Sequence, residues 1–326
     1  MIGTSPWNVD VFFAFGTLPD YQYRPFAGHH FKTMTTAAAP SLDELRRRID
    51  AIDDAMLDLV QERTAVVQSI GALKRGSGGP PTAFRPGREA TVMRRLAARH
   101  TGPFSLATMV RLWREMMCEF TRLQGPFAIA VHAADGAPGL WDMARDHFGS
   151  QTPMSAQPTP SQVIHAVTDG SATVGVLPLP SDERDGLWWT RLLSEEKGGP
   201  RIITRLPFAS AGNARGSARG AVAIACMPTE ASGLDRSYLA LDLAEDVSRS
   251  MMQQRLRDAG IAVASLTRVD QGAGALHLAE IDGYLEDGDP RLAALAERSG
   301  PRLRGLRILG AYAVPLAETA AERGPA

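Results

Sequence analysis

The sequence predicts a multidomain protein. An all-α segment of three helices over residues 40–125 is followed by an α/β region over 126–232 and an α+β domain over 233–318. Three observations predict this order. Apolar residues recur at steps of three and four from Leu42 to Leu73. Beyond Gly125 short strand-like runs alternate with helical ones. From Ser237 onward the pattern reads β-α-β-β-α-β.

Residues 1–39 are expected to be a disordered leader, with Met34 as the natural start. They hold eight of the 21 aromatics, among them Trp7, Phe12, Phe13 and Tyr21. Asp10 interrupts the only apolar run and no basic segment precedes it, which argues against a signal peptide. Residues 319–326 read as a tail.

The first helix begins at a capping box. Ser41 precedes Leu42-Asp43-Glu44, so its hydroxyl can accept from the amide of Glu44 while the Glu44 carboxylate reaches back. Leu45, Ile49, Ile52, Met56, Leu59, Val66, Ile70 and Leu73 continue one stripe. A helix of about 33 residues is about 50 Å long. A 90-residue monomer cannot cover such a stripe, so a partner chain is expected. The run Gly76-Ser77-Gly78-Gly79-Pro80-Pro81 reads as a linker. A second helix is expected from Pro86 to His100 and a third from Ser105 to Leu123, with Met109, Leu112, Met116, Phe120 and Leu123 on its buried side.

Further strands are expected at 127–133, 172–179, 201–208 and 221–227, with helices at 138–148 and 161–168. In the last domain strands are expected near 237–244, 261–269, 275–284 and 307–314, with helices near 248–259 and 290–298, the order of the ferredoxin-like split motif.

Bulk properties exclude several classes. The net charge of −1 argues against nucleic-acid binding, and no apolar run approaches the roughly 20 residues that span a bilayer. Two distant cysteines, Cys118 and Cys226, form no disulfide framework, which fits the cytoplasm. The histidines show no metal spacing, so neither metal nor cofactor is expected. Charge is uneven, however: residues 35–125 hold 14 Lys and Arg against 10 Asp and Glu. Arg46, Arg63, Lys74 and Arg88 lie at helix-compatible intervals, followed by Glu89 and Gln124. Fixed cations, one carboxylate and one amide without a nucleophile suit a small dianion that rearranges without covalent help. Each residue taken singly also reads as an ordinary helix-surface polar group.

The runs LRRRIDAIDDAMLDLVQERTAVVQSIGALK, FRPGREATVMRRL and TRLQGP resemble the all-α chorismate mutase domain at the N-terminus of bifunctional chorismate mutase–prephenate dehydratases. The resemblance implies an intertwined homodimer that converts chorismate to prephenate. It implies Arg63 on one substrate carboxylate and Lys74 between a carboxylate and the ether oxygen. Arg88 would lie in the electrostatic shell, Glu89 on the ring hydroxyl and Gln124 on the ether oxygen. Arg46 would be contributed across subunits. Two departures stand out: Arg85 where many relatives are acidic, and Phe120 where a small polar residue often binds the ring carboxylate.

The second region resembles the first lobe of prephenate dehydratase in MARDHFG and QVIHAVTDGSATVGVLPLP. Its catalytic features are eroded. LPSDE replaces the Glu-Asn-Ser motif, Thr204-Arg205-Leu206 is the remnant of the Thr-Arg-Phe strand, and the interval from Pro180 to Arg201 is too short for a second lobe. The last domain resembles the amino-acid-binding ACT domain in YLEDGDPRLAAL and LRILGAYAVPL. Arg249-Ser250-Met251 replaces its Gly turn and LTRVD its other ligand segment. The expected function is therefore a chorismate mutase with an eroded extension that neither dehydrates prephenate nor responds to phenylalanine. The alternatives are a bifunctional mutase–dehydratase and a non-catalytic dimerising or regulatory module.

Overall fold

The computed structural model describes residues 40–76, 83–133, 138–193, 198–210, 212, 215, 220–271 and 274–316. The expected leader, the tail and most of the Gly-Pro linker lie outside the described residues. The chain divides into two compact units, Met1–Leu57 and Asp58–Ala326.

Helix α1 runs from Leu42 to Gly76. Its start lies in the first unit and is closed by the capping box. The backbone N and Oγ of Ser41 donate to Glu44 Oε2 at 2.8 and 2.9 Å, and the Glu44 amide donates back to Ser41 Oγ at 3.3 Å. These bonds satisfy helix-end donors and hold the Glu44 carboxyl below the usual carboxylate range. Leu45, Ile49, Ile52 and Met56 of this unit are exposed.

In the second unit, the rest of α1 exposes Leu59, Val66, Ile70 and Leu73. Helices α2 (Pro86–Arg99) and α3 (Leu106–Gln124) follow. Pro86 occupies the first turn of α2, where a missing N–H costs nothing. The buried face of α3 differs from the expected one. Met109 and Phe120 are buried as expected, but Val110, Met117 and Cys118 complete that face, while Leu112 and Leu123 stay 49% and 43% exposed. The helix is apolar on two sides, and the α/β body selects one. Met109, Val110 and Met117 pack with Ala90 and Met93 of α2 and with Phe208 and Ala313.

The body is one nine-stranded sheet with order β2-β1-β3-β5-β4-β9-β6-β8-β7. Its first half holds β1 (Ile129–His132), β2 (Met154–Gln157), β3 (Val174–Pro178), β4 (Arg201–Leu206) and β5 (Ala221–Ala225). β1 pairs in parallel with β2 and β3, joined by α4 (Gly139–Phe148) and α5 (Pro160–Thr168), as crossover connections require. Between β3 and β4 a 3-10 helix, Arg184–Leu193, seals the sheet with two buried indoles. Trp188 Nε1 donates to the Pro178 carbonyl at 3.0 Å and Trp189 Nε1 to the Ser181 carbonyl at 3.1 Å.

The second half is β6 (Asp235–Ala244), α6 (Arg249–Asp258), β7 (Val263–Gln271), β8 (Gly274–Asp282), α7 (Pro290–Ser299) and β9 (Leu303–Ala313). Its antiparallel order β9-β6-β8-β7 is that of the ferredoxin-like motif. Arg249-Ser250-Met251 forms the first turn of α6, capped by the Ser248 hydroxyl. The two halves join where Ile202 of β4 pairs in parallel with Gly310 of β9. Gly310 has φ +141° and a Cβ there would run into the Ile202 backbone, so this joint requires glycine.

Candidate active site

Four residues of the second unit, Arg63, Gly71, Phe120 and Gln124, meet where α1 lies on α3. Gly71 is the buried residue of α1, and a Cβ on it would stand 3.2 Å from Gln124 Cγ. Glycine thus lets α1 approach the end of α3. Gln124 is half-buried there and its Nε2 donates to the Phe120 carbonyl at 2.9 Å. An amide nitrogen carries two N–H donors, so the second remains available. Arg63 lies over the Phe120 ring, Cζ 4.7 Å from the centroid. The aromatic that replaces a small polar residue therefore supports a cation. Lys74, one α-helical turn beyond Gly71, is half-buried.

The electrostatics favour an anion. Burial, and then the charge of Arg95 on α2, hold the Arg63 guanidinium below its ordinary pKa. Two cations are thus close enough to repel. Among the described residues no acidic side chain is ion-paired with either. A bound dianion would relieve that repulsion. Arg88 is exposed on α2. Arg46 lies in the first unit, exposed and 3.4 Å from Asp43.

Glu89 has a separate contact, with Arg114. It is buried and accepts from Arg114 Nη1 at 2.6 Å; the Arg114 guanidinium in turn faces the Phe208 ring at 5.1 Å. Burial pushes the Glu89 carboxyl up against the pull of Arg114. Arg114 went unnoticed in the sequence, although a signal was present: it sits at positions i+4 from Val110 and i−4 from Cys118, inside an apolar stripe. Cys118 beside it has its thiol pushed up by burial, which disqualifies it as a nucleophile.

Arg85 and Arg94 fasten α2 to the sheet. Arg85 grips Glu230 with Nε at 3.1 Å and Nη2 at 2.6 Å. Gly87 lies against the same residue, where a Cβ would stand 2.9 Å from the Glu230 carbonyl oxygen. Arg94 donates to the carbonyls of Ser232, Leu234 and Val314 at 3.2, 2.6 and 2.9 Å and to Ser232 Oγ at 2.9 Å.

Arg205, in the run Thr204-Arg205-Leu206, is engaged by side chains on β8 and β9. Arg205 on β4 donates to Glu280 Oε1 on β8 and to Tyr312 Oη on β9, both at 3.1 Å. Tyr312 and Tyr238 also donate to Glu280 Oε1, and Ser265 Oγ donates to Oε2 at 3.1 Å. Burial and the Glu280 charge push both phenols up. This polar row crosses five strands. Among the described residues no three His, Cys, Asp or Glu side chains are grouped to hold a metal ion.

Residues 45–125 match the family described as chorismate mutase type II. The bifunctional chorismate mutase/prephenate dehydratase of Pseudomonas aeruginosa is 33% identical over 144 residues, 42% of this chain and 38% of that protein. The protein of the same description from Neisseria gonorrhoeae is 33% identical over 143 residues, 43% of this chain and 38% of its own length. The intracellular chorismate mutase of Mycolicibacterium smegmatis is 39% identical over 61 residues, 19% of this chain and 57% of that protein. The chain thus spans well under half the length of the bifunctional relatives it matches. The helical segment α1–α3, with the cation pair Arg63 and Arg95, the half-buried Lys74 and the Gln124 amide, is a chorismate mutase type II domain.

Proposed function

We propose that this chain is a chorismate mutase that rearranges chorismate to prephenate. The observation that carries the reading is the Arg63–Arg95 pair, ion-paired with no acidic side chain among the described residues, in a segment that matches chorismate mutase type II. The reaction needs no acid, base or nucleophile. Its barrier falls when a compact near-attack conformer is held and charge building on the ether oxygen is met by fixed donors. Arg63 clamps one carboxylate, for which a planar guanidinium fork is suited. Lys74 bridges a carboxylate and the ether oxygen, and Gln124 donates its second N–H to that oxygen. Arg88 adds positive potential. Glu89 serves the ring hydroxyl in this reading, and Arg114 sets the direction of its carboxylate.

The working protein in this reading is a homodimer in the cytoplasm, with Arg46 supplied by the other subunit. The exposed apolar row of α1 and the free thiols of Cys118 and Cys226 support it. No described helix is long and apolar enough to cross a membrane. Residues 40–125 act as the mutase domain, 126–232 as a degenerate dehydratase-like region and 233–318 as an ACT-like domain. The commitment of Arg205 to Glu280 supports the absence of dehydratase chemistry.

The test is a chorismate-loss assay with product identification. Prephenate is expected without added cofactor. Phenylpyruvate formed above the spontaneous rate at neutral pH would restore the bifunctional reading, and no chorismate loss would leave a non-catalytic module.

A further inference from the structure

A second polar site, a half-open cavity, lies between α3, α4 and the segment after β4. A cavity of about 200 Å³ is walled by Thr108, Arg111 and Arg114 of α3, Asp146 and His147 of α4, and Phe208 and Ser210. Arg114 and His147 are 3% and 5% exposed. Arg114 Nε and His147 Nε2 have no hydrogen-bond partner among the described residues. Buried polar atoms are almost always partnered, so two orphans on one cavity wall point to a ligand.

The donor chemistry selects the ligand. A guanidinium Nε–H can only donate, and it carries positive charge. Burial and the Arg114 charge hold His147 well below its ordinary pKa, so it is neutral and can donate from Nε2. Two donors converging on one cavity call for a pair of oxygen acceptors. Arg114 already holds Glu89, and Arg111 holds Asp146, so the ligand's single carboxylate shares guanidinium donors with these groups and a second charge on it would meet only repulsion. Val110, Met143 and Phe208 supply apolar wall, beside the Asp146 carboxylate that Arg111 holds. A volume below the roughly 300 Å³ of ordinary ligand pockets admits a single ring or short chain.

We infer that this cavity binds a small monocarboxylate with an apolar body, its carboxylate on Arg114 Nε and His147 Nε2. The site is separate from the Arg63–Lys74–Gln124 group and does not depend on mutase activity. It touches that chemistry at one point: the ligand and Glu89 would share the Arg114 guanidinium.

Calorimetric titration of the full chain with sodium benzoate, and with benzamide as its neutral isostere, tests this. Benzoate is expected to bind once per chain with a Kd on the order of 1 mM or tighter, and benzamide at least about tenfold more weakly. Thr108→Glu places a repelling charge at the mouth, and Ala107→Phe fills the cavity from the half-buried start of α3. Each should weaken benzoate about tenfold while leaving the thermal melt intact. Lys74→Ala should leave benzoate affinity unchanged. The inference is overturned if benzoate gives no saturable heat or benzamide binds equally well. It also fails if folded Thr108→Glu and Ala107→Phe bind as the parent does, or if Lys74→Ala abolishes binding, which would move the benzoate to the mutase site.

Discussion

The guanidinium of Arg63 rests on the ring of Phe120, 4.7 Å from its centroid. Phe120 is buried, so the ring offers the guanidinium a desolvated face. In the proposed mutase reading, Phe120 is a platform under the cation that would hold a substrate carboxylate. Phe120→Leu keeps the apolar volume and removes the π-face, a loss of about 0.5–1 kcal/mol. The KM for chorismate should rise about two- to fivefold with a smaller change in kcat. Steady-state kinetics check this, and an unchanged KM would detach Arg63 from substrate binding.

Gln124 should make the mutase insensitive to pH near neutrality, because an amide donates at every working pH. Gln124→Glu replaces that donor with a group that donates only when protonated. Its carboxylate would also face the Phe120 carbonyl, which now receives the amide N–H at 2.9 Å. Only the protonated form is competent, so activity of the variant should rise as pH falls toward the carboxyl pKa. A flat rate profile for Gln124→Glu across the acid range would remove Gln124 from the ether oxygen.

Much of this was legible in the sequence, for physical reasons. Helices α1–α3 declare themselves because burial on one face imposes steps of three and four, and Ser41 and Glu44 mark the first end by reciprocal bonding. The βαββαβ order was readable because its strands are long, 9 to 11 residues, and two helical stretches separate them. β2 was missed because Met154-Ser155-Ala156-Gln157 carries no strand signature, and the 3-10 helix because Trp188 and Trp189 answer to no helical or strand period. The Arg94 bonds were invisible because they reach residues 138 to 220 positions away. The exposed side of α3 was misjudged at Leu112 and Leu123 because a helix apolar on two faces does not say which one a single chain covers.

Arg94 and Arg85 make contrasting predictions. Arg94→Ala leaves the carbonyls of Ser232, Leu234 and Val314 without their donor in a half-buried seam, and should cost at least ~2 kcal/mol. Arg85→Ala removes a bidentate but exposed pair with Glu230 and should cost no more than ~1 kcal/mol. Urea denaturation monitored by tryptophan fluorescence measures both. Equal losses would show that the two arginines do not differ as their burial implies.

Arg205 and Glu280 tie the two halves of the sheet. Removing one partner of a fully buried pair costs about 3–5 kcal/mol, so a somewhat smaller loss is expected for the partly exposed Arg205, while replacing both with apolar residues is often far milder. Arg205→Met alone should therefore lower the urea midpoint sharply, and Arg205→Met with Glu280→Leu should recover part of the loss. A double variant no more stable than the single one would place the stabilisation in the Tyr238 and Tyr312 bonds instead.

The last prediction concerns how many chains make one site. Arg46 and Lys74 are 28 residues apart in a helical sequence, or about 42 Å at the α-helical rise. Their side chains each reach roughly 6–7 Å by bond-length geometry. One helix cannot bring both to a molecule as small as chorismate, whereas an antiparallel second copy can bring its own Arg46 to Lys74. The same copy would cover the exposed Leu59, Val66, Ile70 and Leu73. Arg46→Ala and Lys74→Ala homodimers should each be nearly inactive. Mixed under subunit exchange, they form heterodimers in which one site has both residues and the other has neither. With random pairing, activity should recover to about a quarter of the parent. If exchange is verified by mass spectrometry and the mixture stays as inactive as its parents, each site is built within one chain and Arg46 is a surface residue paired with Asp43.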